Sequence, residues 1–178
     1  SSDLDEYVIE SLQRQGAKIT SWGVGTNMIT AADCPAFGGV YKLAAITDEE
    51  GNFIPKIKVS ENVEKVTNPG NKTVFRLYDS ENGKIKADLI ALAYEVYTPD
   101  KPLMIFDQTA TWKKTYLKEN TYTVRELLVP IFINGECVYQ SPTVMEIRDY
   151  CFKELETLWD ESRRFVNPQE VYVDLSKP

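Results

Sequence analysis

Hydrophobic and polar positions change period along the chain. Leu4, Val8 and Leu12 recur every four residues and place an apolar face on a helix. Asp3 and Glu6 have capping-box spacing at its start, and Gly16 stands where the helix should end. Ala17 to Trp22, carrying Ile19, then reads as a short strand. The loop Gly23-Val24-Gly25-Thr26 follows at its carboxyl end. From Val40 the period shortens. Val40–Ile46, Lys56–Ser60, Thr73–Tyr78 and Ile85–Leu92 are predicted strands, with Ile57 and Val59 alternating against Lys56 and Lys58. Turn signals separate them: Glu50-Gly51-Asn52, Asn68-Pro69-Gly70-Asn71 and Glu81-Asn82-Gly83. An antiparallel sheet is expected.

Residues 98–123 read as irregular, with Pro99 and Pro102 early in the stretch. Leu127–Ile133 and Glu136–Tyr139 flank Asn134-Gly135, a strong hairpin signal. Thr143 and Glu146 then open a helix by capping-box spacing. Val144, Ile147, Cys151, Leu155 and Leu158 form its apolar stripe, which reads as core or docking face. Cys151 on that stripe is expected to be a buried thiol. Asn167 to Pro178 reads as a tail on a surface.

Composition narrows the function. The chain has 178 residues, 43% of them hydrophobic, enough for a real core. A net charge of −7 disfavours nucleic acid as a general partner, because phosphates would be repelled. No apolar run is long enough to span a bilayer, so no membrane partner is expected and the location is read as cytoplasmic. Histidine is absent, which removes histidine triads and histidine metal ligands from this chain. The three cysteines, Cys34, Cys137 and Cys151, have neither disulfide-framework nor zinc-knuckle spacing.

Candidate chemistry is confined to a few places. Closely spaced glycines let backbone N–H groups converge on a phosphate, and Gly23, Gly25 and Thr26 could form such a cradle. On spacing alone a tight turn without a ligand is the stronger reading. Asp3 reads first as a helix cap, and second as an acceptor for ribose hydroxyls. Between Phe53 and Lys86, seven Lys/Arg face four Asp/Glu in an otherwise acidic chain. Lys72, after the Asn68–Asn71 turn, is expected to reach outward, and Lys42 lies near Gly38-Gly39. Either lysine could neutralise phosphate oxygens, but ordinary solvated strand faces explain the same pattern.

Joined together, SSDLDEYVIESLQRQGAKITSWGVGT, GGVYKLAAI and PKIKVSENVEKVTNPGNKTVFRL resemble the C-terminal part of nicotinate phosphoribosyltransferases. LLVPIFINGECVY, SPTVMEIRDYCFKELETL and a final VDL resemble the tail of the longer bacterial type. The resemblance covers nearly the whole chain. It implies an α/β fold: the C-terminal part of an irregular α/β barrel of the type II phosphoribosyltransferases, plus strands of a sheet-rich α/β sandwich domain. Residues 1–36 would be the last barrel units, 37–107 the sandwich portion, and 108–178 a C-terminal hairpin, helix and tail.

The implied activity is transfer of phosphoribose from phosphoribosyl pyrophosphate to nicotinate, giving nicotinate mononucleotide and pyrophosphate with ATP hydrolysis, in NAD salvage. ATP and Mg2+ are the implied cofactors. A homodimer and a missing N-terminal part of the same protein are the implied partners. By resemblance, Gly23, Gly25 and Thr26 hold the 5′-phosphate, Asp3 lies near the ribose hydroxyls, and Lys42 and Lys72 lie near phosphates. This favours the cradle over the bare turn. The family's histidine and its nicotinate clamp lie upstream, so the 178-residue chain is expected to be a C-terminal portion, inactive alone, with no catalytic residue and no metal ligand of its own. A related enzyme acting on nicotinamide or quinolinate, or a non-catalytic phosphate- or partner-binding module, remains an alternative.

Overall fold

The computed structural model describes residues 3–36, 38–61 and 66–177. The chain divides into two compact units, Ser1–Lys42 and Leu43–Pro178.

In the first unit, helix α1 spans Glu6–Arg14. Its cap is Asp5, whose Oδ1 accepts the Val8 N–H at 2.7 Å, and not Asp3 as the spacing suggested. The reason is conformational. Asp5 has the extended backbone an N-cap needs, whereas Asp3 sits at φ +59. Gly16, at φ +85, ends the helix as expected, and Ala17 N–H returns to Leu12 O at 3.0 Å. The strand expected over Ala17–Trp22 is not formed among the described residues. A strand exists through its ladder, and the described residues of this unit supply no second strand to pair with. Helix α2, Thr26–Thr30, begins directly after Gly25.

The second unit opens with a hairpin of β1 (Ala45–Thr47) and β2 (Phe53–Pro55). Asp48 Oδ1 holds its turn by accepting from Glu50 N–H at 3.0 Å and Asn52 N–H at 2.8 Å. Of the strand expected over Val40–Ile46 only Ala45 and Ile46 fall in β1, and the strand expected over Lys56–Ser60 is replaced by β2 just before it. One further backbone bond lies beyond the two strands, from Lys56 N–H to Ala44 O at 2.8 Å.

The main sheet has six strands in the order β6-β5-β10-β4-β3-β7. They are β3 (Lys72–Asp79), β4 (Ile85–Leu92), β5 (Leu103–Asp107), β6 (Lys114–Leu117), β7 (Tyr122–Glu126) and β10 (Val173–Leu175). β10 runs parallel to β4 and antiparallel to β5, so the sheet is mixed and not purely antiparallel. One face carries the core: on β4, Ile85, Ala87, Leu89 and Ala91 are buried and the residues between them only half-buried. Leu77, Leu103, Ile105, Leu117 and Tyr122 complete it.

Two expectations are overturned here. Residues 98–123 are not irregular: they hold β5, β6 and the start of β7, and Pro99 and Pro102 fall before β5. The C-terminal stretch is not a surface tail, because Val173–Leu175 is inserted in the middle of the sheet.

Strands β8 (Phe132–Ile133) and β9 (Glu136–Cys137) form the expected hairpin across Asn134 and Gly135, both at positive φ. Helix α3, Val144–Thr157, starts with the expected capping box. Its apolar stripe is not core. Val144 is 79% exposed, and Cys151 is exposed, not buried. What fastens α3 to the sheet is polar. Arg125 donates to both Glu154 oxygens at 2.6 Å, and Lys84 Nζ meets the carbonyls of Glu156 and Leu158 at the helix end.

Candidate functional site

The first unit brings Asp3 and the glycine loop together. Asn27, in the first turn of α2, donates from Nδ2 to the carbonyls of Asp3 and Leu4, each at 3.2 Å. This bond ties the start of α2 to the segment entering α1. Ile29 N–H is the first to turn back into α2, to Gly25 O at 3.1 Å. The N–H groups before it belong to the set that a helix start leaves without an internal acceptor. The Thr26 hydroxyl has no protein partner among the described residues, and Thr26 is exposed. A Cβ added at Gly23 or Gly25 would meet open space. Packing within this chain therefore does not require either glycine, whereas a closely approaching ligand would.

The arrangement can present several N–H donors and one hydroxyl to an anion, with the Asp3 backbone alongside. Sequence reasoning missed Asn27. Its only signal was an Asn directly after the Gly-x-Gly-Thr run, and its partners lie more than twenty residues away.

The lysines behave differently. Lys42 is exposed. Lys72 begins β3 and does not reach outward: its Nζ donates to Asn68 O and, at 2.9 Å, to Gly70 O. It locks the turn that precedes β3, and partial burial pushes its ammonium below the ordinary lysine range. It also borders a cleft of about 270 Å³ with Asn68, Gln108, Ser176 and Lys177. Two other members of the basic stretch are paired with carboxylates within the second unit, and Lys65 lies outside the described residues. Arg76 pairs with Asp88 at 2.7 Å and Lys86 with Asp79 at 2.7 Å.

The family model of the nicotinate phosphoribosyltransferase C-terminal domain matches residues 71–178. The chain belongs to the nicotinate phosphoribosyltransferase family. The nicotinate phosphoribosyltransferase of Bacillus subtilis (strain 168) is 42% identical over 177 residues, covering 99% of this chain and 36% of that protein. The nicotinate phosphoribosyltransferase of Homo sapiens is 30% identical over 178 residues, covering 99% of this chain and 31% of that protein. A crystal structure of human nicotinic acid phosphoribosyltransferase superimposes with a TM-score of 0.54 at 25% identity, over 61% of this chain and 21% of that one. The chain thus spans about a third of the length of the curated relatives it matches. The matched residues include the whole six-stranded sheet, hairpin β8–β9 and α3, so these form the family's C-terminal domain.

Proposed function

We propose that this chain is the C-terminal portion of a nicotinate phosphoribosyltransferase whose intact form joins nicotinate to phosphoribosyl pyrophosphate. The products are nicotinate mononucleotide and pyrophosphate, with ATP hydrolysis coupled. The observation that carries this reading is the alignment of 99% of the chain with a nicotinate phosphoribosyltransferase at 42% identity.

In this reading residues 1–36 are the closing units of an irregular α/β barrel, and the intact enzyme is a cytoplasmic homodimer. No helix among the described residues is long and apolar enough to cross a membrane. Gly23, Gly25 and Thr26 cradle the 5′-phosphate of the sugar, using the N–H groups at the start of α2 and the Thr26 hydroxyl. Asp3, held beside them by Asn27, accepts from the ribose hydroxyls. Holding this remote phosphate fixes the sugar, so that binding energy is spent on orienting the carbon that reacts. Lys42 and Lys72 lie near phosphate oxygens. Lys72 would have to exchange its turn carbonyls for a ligand oxygen to do so directly.

Mg2+ and ATP belong to the proposed reaction. No group of three or more His, Cys, Asp or Glu side chains that could hold a metal ion forms among the described residues. The catalytic groups and the nicotinate clamp are assigned to the rest of the protein, and the 178-residue chain alone is inactive.

The test is Gly25→Val in the intact enzyme. It should raise KM for phosphoribosyl pyrophosphate at least tenfold while the melting temperature stays within a few degrees. An unchanged KM would remove the cradle. A panel of nicotinate, nicotinamide and quinolinate decides the base, and turnover by residues 1–178 alone would refute the division of labour.

A further inference from the structure

The central strand β10 carries an acidic side chain in an apolar place. Asp174 stands in register with Leu89 of β4 on one side and Asp107 of β5 on the other. Leu89 is 0% exposed and Asp174 7%, so the carboxyl lies on the core face of the sheet. Among the described residues no donor meets its oxygens. A carboxyl so placed is costly unless a donor or cation reaches it. The residue opposite aggravates this. Asp107 Oδ1 accepts from the Thr109 N–H, the Thr109 hydroxyl and the Ala110 N–H, each at 2.8 Å, which favours its ionised form. Burial and this neighbouring charge both push the Asp174 carboxyl above the ordinary range.

Asp174 lines a cavity of about 260 Å³ within the second unit. Ile85, Ala87, Ile105 and Leu117 give it an apolar floor, and Trp159 and Tyr172 border it. The Trp159 indole N–H is committed to Ile85 O at 2.7 Å, which leaves ring surface as its contribution to the cavity. Glu170 adds a second acidic group to the lining. Lys86 also borders the cavity, but its ammonium is held by Asp79 at 2.7 Å. The lining therefore combines apolar and aromatic surface with a nearly buried carboxyl that faces the cavity and that no donor among the described residues meets.

We propose that this cavity binds a compact organic cation, a protonated primary or secondary amine. Its ammonium meets Asp174, and its apolar body lies on Ile105, Leu117 and the Trp159 ring. The volume lies just below the usual range of small-molecule sites, roughly 300–1,000 Å³, which favours a ligand with a single small ring or a short chain. Positive charge answers both the missing donor and the Asp107–Asp174 repulsion, and aromatic walls suit it further. The site is independent of which base the intact enzyme accepts.

The experiment titrates benzylamine, and benzyl alcohol as its neutral counterpart, into the intact protein and into the 178-residue chain. The Trp159 indole resonance is the readout. Benzylamine should bind at least tenfold more tightly than benzyl alcohol to both proteins. Asp174→Asn should abolish the preference while retaining the alcohol. Thr115→Phe, which narrows the cavity from the exposed strand β6, should weaken both ligands and tests the site should Asp174→Asn fail to fold. Equal affinities for the two ligands would overturn the proposal. So would an unaltered preference in Asp174→Asn, unaltered binding of both ligands in Thr115→Phe, or binding by the short chain alone, which would mean that another part of the intact protein fills the cavity.

Discussion

Glu154 shows how much one residue can fasten. It takes a two-pronged bond from Arg125 and a longer contact from Arg76 at 3.4 Å, and so joins α3 to β7 and β3. Its side chain is 20% exposed and that of Arg125 38%, which places the pair between surface and buried limits. Glu154→Gln should cost about 1 kcal/mol, read by urea unfolding. The Arg125 guanidinium holds the Glu154 carboxyl below the ordinary range. A depressed folded pKa contributes stability that is complete above the unfolded value of about 4.3 and is lost as pH falls through the folded value. Wild type should thus lose stability in acid faster than Glu154→Gln, and parallel acid titrations would contradict the pairing. Asp174 has the opposite sign. Its folded pKa is raised, so the chain loses stability as pH rises from the unfolded value of about 3.9 through the folded one. Without a ligand, Asp174→Asn should raise stability at neutral pH by about 1 kcal/mol. A lower melting temperature for that variant would show that the carboxyl has a protein partner.

Among the elements, α3 depends most on its own ends, because its apolar stripe is exposed. Thr143 N–H donates to Glu146 Oε2 at 2.7 Å, and Glu146 N–H returns to Thr143 Oγ1 at 3.3 Å. Thr143→Ala should cost about 1 kcal/mol and appear as faster amide exchange in the first turn of α3, with the sheet unaffected. The capping box was legible in the sequence because it is local, as were β4, with its bounds Ile85–Leu92, and most of β3, which meet across the Glu81-Asn82-Gly83 turn. β5 and β6 were hidden by the prolines ahead of them, although Leu103 and Ile105 already alternate toward the core. β10 was hidden for a different reason. Its inward residue is Asp174, so the pattern that marks a central strand is broken at the position that matters. The same contrast governs the candidate site. Glycine spacing marked the loop, while the Asn27 bond to Asp3 and the folding of Lys72 onto its own turn are tertiary facts that no spacing displays.

At the scale of the molecule, both units leave large apolar side chains open. Ile29 and Val40 in the first unit, and Phe132, Val144 and Met145 in the second, are all more than half exposed. Surfaces of this kind mark contacts with other protein, and the chain spans only about a third of the relatives it matches. The isolated 178 residues should therefore bind the dye ANS and self-associate at micromolar concentration. Co-expression with the remainder of the protein should give a stoichiometric complex that has lost most of the dye binding. A monodisperse, dye-silent fragment would mean that the units Ser1–Lys42 and Leu43–Pro178 satisfy their own apolar faces in solution. That result would also weaken the case for an enzyme completed by the rest of its length, because open apolar side chains are what a covering surface would explain.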